Sequence, residues 1–102
     1  MNPRYVLAPQ AARDLVEIWL YLRENASLAT ADRVETVFKE KFAFLAAHPR
    51  AGHFRKDLTD ERVRFFPAYS YLLVYRPETD PLQVVSILHG RRDLATTLQA
   101  RI

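Results

Sequence analysis

The stretch Leu82-Gln83-Val84-Val85-Ser86-Ile87-Leu88-His89-Gly90-Arg91-Arg92-Asp93-Leu94 runs an apolar strand directly into a basic cluster beside a glycine. A strand this rich in Val, Ile and Leu belongs inside a sheet, and a buried strand fixes the position of whatever follows it. His89, Arg91 and Arg92 are therefore expected at the rim of a rigid sheet. Arginine offers a planar fork of donors, histidine exchanges a proton near neutral pH, and Gly90 lets the backbone turn where a side chain would clash. Such a rim suits a phosphate or a carboxylate. The plain alternative is that Gly90 ends the strand and the arginines are solvated.

Working outward, Tyr69 to Arg76 is rich in aromatic and apolar residues, and Arg62-Val63-Arg64-Phe65-Phe66 alternates. Pro77 to Pro81 reads as a turn between the last two strands. Sequential strands joined by short turns form an antiparallel meander. Upstream, Tyr5-Val6-Leu7 is a short strand, and Pro9 can open a helix because its missing N–H has no partner at that position anyway. Leu15, Ile18, Trp19 and Leu22 fall on one helical face, with Arg13 and Glu17 expected to pair outside. Ser27 can cap a second helix to about Ala47, with an apolar stripe of Val34, Phe38, Phe42 and Leu45 and a Glu35–Lys39 pair. Few residues separate these helices, so an antiparallel hairpin is expected on one face of the sheet. Leu94 to Leu98 adds a closing helical turn. The expected fold is α+β, an N-terminal strand and a helical hairpin on a small, mainly antiparallel sheet.

Length and composition narrow the function. At 102 residues and 49% hydrophobic, the chain suits one domain over 1–102 with its own core. With no cysteine, neither a disulfide framework nor a thiolate zinc site can form, and a cytoplasmic setting is expected. No segment has the length of a signal peptide core or a membrane span. The net charge of +3 permits an acidic or polyanionic partner. Its distribution says more: from Arg50 to Arg76, Arg50, Arg55, Lys56, Arg62, Arg64 and Arg76 outweigh Asp57, Asp60 and Glu61, whereas Asp14, Glu17, Glu24, Asp32, Glu35 and Glu40 lie in the first forty residues, so the basic face belongs to the second half.

Several chemistries fall away. Gly52 and Gly90 are the only glycines, so no phosphate-cradling loop or dinucleotide fingerprint can be built. His48, His53 and His89 share no metal-ligand spacing, and no cofactor or metal is expected. Ser70, His89 and Asp93 make a triad on paper, without the nucleophile elbow that would give it weight. Trp19 reads as core, and His53 as a loop residue. Tyr69, Tyr71 and Tyr75 share a sheet face under the helices, with the end near Tyr75 exposed enough to stack on RNA. Arg62 and Arg64 form a basic strand face, either a solvated edge or a contact for an acidic partner.

The ordered pieces Tyr5-Val6-Leu7, Ile18 to Leu22, Ala31-Asp32-Arg33, His48-Pro49-Arg50-Ala51-Gly52, Arg55 to Leu58, Val63 to Phe66, Tyr71 to Arg76 and Ile87 to Asp93 together resemble toxins of the RelE/ParE superfamily of type II toxin–antitoxin systems. The likeness runs nearly end to end and is greater to the ParE branch. It implies a helical hairpin on an antiparallel sheet, and a toxin held in a hetero-oligomer by a cognate antitoxin with an acidic, partly disordered tail.

ParE-like members are described as inhibitors of DNA gyrase. RelE-like members cut messenger RNA on the ribosome, which needs charge stabilisation at the phosphoryl oxygens and a proton-transfer group. Arg64, His89, Arg91 and Arg92 are the residues for that chemistry. The aromatic residue that several ribonuclease members carry near the C-terminus is missing from Leu98-Gln99-Ala100-Arg101-Ile102. Gyrase inhibition therefore ranks first and RNA cleavage second. The resemblance implies a target-facing set of His89, Arg91, Arg92, Arg64 and Arg76, and an antitoxin-facing set of Arg62, Arg64, Trp19 and Leu22.

Overall fold

A computed structural model describes residues 4–90 and 94–101. Strand β1 (Tyr5–Leu7) is followed by helices α1 (Pro9–Asn25) and α2 (Leu28–Ala47), strands β2 (Arg64–Ala68), β3 (Tyr71–Arg76) and β4 (Leu82–His89), and helix α3 (Leu94–Arg101). The four strands lie in the order β1-β4-β3-β2. The meander β2-β3-β4 is antiparallel as expected, and β1 pairs parallel to β4.

The local signals act as their chemistry requires. Pro9 sits in the first turn of α1, and the Ser27 hydroxyl accepts the Thr30 N–H at 3.0 Å to start α2. Val34, Phe38, Phe42 and Leu45 are all buried, and Glu35 and Lys39 approach to 3.9 Å. The expected Arg13–Glu17 pair gives way to a bond from Arg13 to Gln10 at 3.1 Å.

Two strands start later than the sequence suggests. Tyr69 and Ser70 form the β2–β3 turn rather than opening β3, and β2 extends through Pro67. An edge strand tolerates a proline, because its outward side needs no ladder donor.

The sheet buries both faces. The α1–α2 hairpin covers one with Leu15, Phe38, Phe42, Leu73, Tyr75, Val84 and Ile87. Leu58, Leu94 and the fully buried Leu98 close the other over Val63, Phe65, Val74, Val85 and Leu88. Hence α3 is a covering layer of the second face, longer than the closing turn expected. Opposite Val74 and Tyr75 the ladder passes from Ser86 to Val84, leaving Val85 as a bulged extra residue. The bulge switches the alternation, so Leu82, Val84 and Ile87 all reach the hairpin face.

Strand β1 is too short to cover β4. It pairs only with Leu82 to Val84, and the chain then turns into α1. Asp14 of α1 takes over along the uncovered edge. Its Oδ2 accepts the Ile87 N–H at 2.9 Å, the Ser86 hydroxyl at 3.0 Å and an Arg101 N–H at 2.8 Å, while Oδ1 accepts from Gln10 at 2.8 Å. Arg101 also donates to Ser86 Oγ at 2.7 Å. One buried carboxylate thus ties α1, β4 and α3 together. A buried charge is tolerable when it is paired and both its oxygens accept hydrogen bonds, as here.

Candidate functional site

The register divides the expected site residues between opposite ends of the sheet. Arg64 stands opposite Tyr75, whereas Ala68 stands opposite Tyr71, which in turn stands opposite His89. Four rungs and two strand spacings place the Arg64 and His89 backbones about 16 Å apart. Arg76, opposite Gln83, is at the Arg64 end. Arg91, Arg92 and Asp93 lie outside the described residues.

At the Arg64 end, Arg62 and Arg64 alternate with the buried Val63 and Phe65, yet the two arginines have different roles. Arg62 is exposed and pairs with Glu78 at 3.1 Å. Arg64 donates through Nη1 to the Gly52 carbonyl at 2.7 Å and lies 4.2 Å from the centroid of the Phe54 ring. Its Nε is buried without a partner.

Gly52 is there because of crowding. A Cβ on it would meet the Tyr75 hydroxyl at 2.6 Å and the Phe65 carbonyl at 2.8 Å. The Tyr75 hydroxyl accepts the Gly52 N–H at 2.9 Å and donates to the Pro49 carbonyl at 2.7 Å, pinning the loop after α2. Burial pushes the Tyr75 pKa up, against the opposing effects of the Gly52 bond and the nearby Arg64 charge. Tyr75 is 0% exposed, so the sequence reading of an open end near Tyr75 is corrected: the open ring is Tyr69, at 59%. The difference arises because Tyr69 is in the turn and Tyr75 is covered by the 49–52 loop.

This loop and the sheet enclose an open cleft of about 940 Å³ lined by Arg50, Arg64, His48, Phe44, Phe54 and Glu78, among others. Phe44 and Phe54 remain 44% and 49% exposed there. Two guanidinium groups beside two open rings suit an acidic segment that also carries apolar side chains. His53, read as a loop residue, is exposed and bridges Phe65 through its backbone.

At the other end, the His89 ring meets Tyr71 edge-on at 5.3 Å, and Tyr71 meets Phe38 edge-on at 5.6 Å. Gly90 donates its N–H to the Ser70 carbonyl at 2.8 Å, locking the end of β4 onto the β2–β3 turn.

Trp19 and Leu22 are half-buried between the two helices. The indole N–H donates to Asp32 at 2.9 Å, and Arg23 stacks 5.2 Å from the ring centroid. The open apolar side chains of α1 are instead Val16, Leu20 and Tyr21. The sequence shows Asp14 only as one of several helix acids and Tyr69 only as one of three tyrosines on a sheet face, and it gives no sign of the Phe44–Phe54 cleft. No group of three His, Cys, Asp or Glu side chains able to hold a metal is found among the described residues. Nor is any helix there long and apolar enough to cross a membrane.

A family model described as the ParE toxin of the type II toxin–antitoxin system parDE matches residues 5–94. Among solved structures, a chain from the chromosomal ParDE toxin–antitoxin system of P. aeruginosa is similar in fold, with a TM-score of 0.71 at 17% identity. The match covers 86% of this chain and 96% of that one. No curated protein sequence matches significantly.

Proposed function

The chain belongs to the ParE toxin family of type II toxin–antitoxin systems, and from that premise we propose that it arrests growth by binding DNA gyrase, with no chemistry of its own. The observation that carries this reading is the separation of Arg64 from His89. Cleavage by a ribose 2′-hydroxyl needs the phosphate-holding cation and the proton-transfer group on one phosphodiester, within about 3 Å of the reacting atoms. Backbones about 16 Å apart, with the Arg64 guanidinium drawn onto the Gly52 carbonyl and the His89 ring set against Tyr71, speak against the two acting on one phosphodiester. Leu98 supports the same reading: the C-terminal helix turns an aliphatic side chain into the core and presents no aromatic group to a base.

In this reading His89 at the end of β4 contacts gyrase, together with Arg91 and Arg92, which follow it in the sequence. The cognate antitoxin is an acidic chain whose tail reaches Arg62 and Arg64 and seats apolar side chains against Phe44 and Phe54. Binding should be tight and weakened by salt, since it joins charge neutralisation to apolar burial.

Substitution of His89 by Gln separates the two mechanisms. Glutamine keeps hydrogen bonding but cannot titrate, so a contact inhibitor should retain most of its toxicity. A ribonuclease using His89 as acid or base should lose on the order of a hundredfold or more in rate. Ribosome-bound message cut by the purified wild-type protein, with cutting abolished in His89→Gln, would refute the proposal.

A further inference from the structure

The β2–β3 turn places a tyrosine where the backbone favours glycine. Tyr69 has φ of 57° and is the one non-glycine residue with positive φ among the described residues. Tight two-residue hairpins need this conformation, and Gly, Asn and Asp adopt it at least cost, whereas a bulky side chain there is strained. Both glycines of the chain are used elsewhere, Gly52 under Tyr75 and Gly90 against the Ser70 carbonyl.

Packing does not account for the choice. The Tyr69 ring touches Phe38 edge-on at 6.4 Å but remains 59% exposed. Its surroundings are rigid: the neighbouring Ser70 carbonyl holds Gly90, and Tyr71 pairs with His89 on the next rung. Tyr69, Tyr71 and His89 therefore make a fixed aromatic patch over Phe38, continuous with the end of β4 to which gyrase contact is assigned above. A stiff, half-open tyrosine with a free-standing polar tip is the residue type that anchors protein interfaces, because little side-chain entropy is lost on docking.

We infer that Tyr69 is a contact residue for the protein target, held outward by a strained turn, and that its ring enters an apolar pocket on that target. The inference rests on the gyrase reading and specifies the surface used. The occupant is a folded protein surface; the antitoxin tail is assigned to the cleft at the opposite end of the sheet.

The test compares wild type with Tyr69→Gly and Tyr69→Asn, both of which fit the turn. Thermal melting, inhibition of gyrase supercoiling, affinity for the antitoxin and growth arrest on induced expression are measured for all three. The expected result is a melting temperature equal to or above wild type, inhibition weakened on the order of tenfold or more, and unchanged antitoxin affinity. Three outcomes overturn the inference: full inhibition by the folded variants, an equal loss of antitoxin affinity, or melting temperatures well below wild type in both variants, which would make Tyr69 a structural residue. Failure of the wild-type protein itself to inhibit gyrase would refute the gyrase reading instead. Growth arrest then decides on Tyr69: reduced arrest by folded variants upholds it as a target contact, and undiminished arrest overturns it.

Discussion

Replacing Asp14 with Ala should cost about 3–5 kcal/mol, the range for breaking a buried ion pair from one side. The side chains of Asp14 and Arg101 are only 4% and 19% exposed. Removing the carboxylate leaves the guanidinium short of a counter-charge in a mostly covered site, and takes away the acceptor of the Ile87 N–H. An unsatisfied buried donor alone costs about 1–3 kcal/mol, a loss included in the total. Urea unfolding near neutral pH reads the change as a shift in midpoint at constant slope. Because domains of this size are stable by about 5–15 kcal/mol, the variant should remain folded but weakened. Arg101→Met, which removes the charge and keeps an apolar stem, should cost less. In the double variant the losses should fall well short of additivity, with a coupling of about 1–3 kcal/mol. A loss under about 1 kcal/mol for Asp14→Ala, or simple additivity with Arg101→Met, would refute the idea that this carboxylate closes the edge of β4.

Gly52→Ala should destabilise by about 1–3 kcal/mol, since the added methyl meets the Tyr75 hydroxyl at 2.6 Å and a backbone oxygen at 2.8 Å; chemical denaturation measures it. Tyr75→Phe should lose about 1–3 kcal/mol by orphaning the Gly52 N–H and the Pro49 carbonyl. The Tyr75 pKa is raised above its ordinary value of 10.0 in the folded state. Its contribution is therefore whole below about pH 10 and lost as pH rises through the folded-state pKa, so stability curves of wild type and Tyr75→Phe should converge on the alkaline side. Arg62→Ala should change stability by less than about 0.5 kcal/mol, because its pair with Glu78 is exposed, while weakening antitoxin binding in low salt.

Most of the architecture was legible because its periodicities are strong. The 3.6-residue stripe of Val34, Phe38, Phe42 and Leu45 and the Val/Ile run of β4 leave little choice of element or face. Turn chemistry was less legible. Tyr69 carries no turn signature, so β3 reads two residues too long, and that error places the open ring at Tyr75 rather than at Tyr69.

Asp14 looks like any solvated helix acid. Its burial follows from the shortness of β1 and the return of α3, both tertiary facts. The site residues were individually visible, but their distances depend on register, which alternation alone does not count. Arg62 and Arg64 look equivalent as a strand face; the 49–52 loop draws Arg64 into a bond with Gly52 and leaves Arg62 outside.

A toxin that disables gyrase by contact and is held inactive by its antitoxin should reveal both properties in a supercoiling reaction made from purified parts. Gyrase, relaxed plasmid and ATP are titrated with this protein, alone and after mixing with its cognate antitoxin. Contact inhibition requires blocked supercoiling or trapped cleaved DNA, restored to normal at about one antitoxin tail per toxin, with ribosome-bound message left intact. Undisturbed supercoiling at a large excess of folded protein, together with message cut in the ribosomal A site, would contradict it.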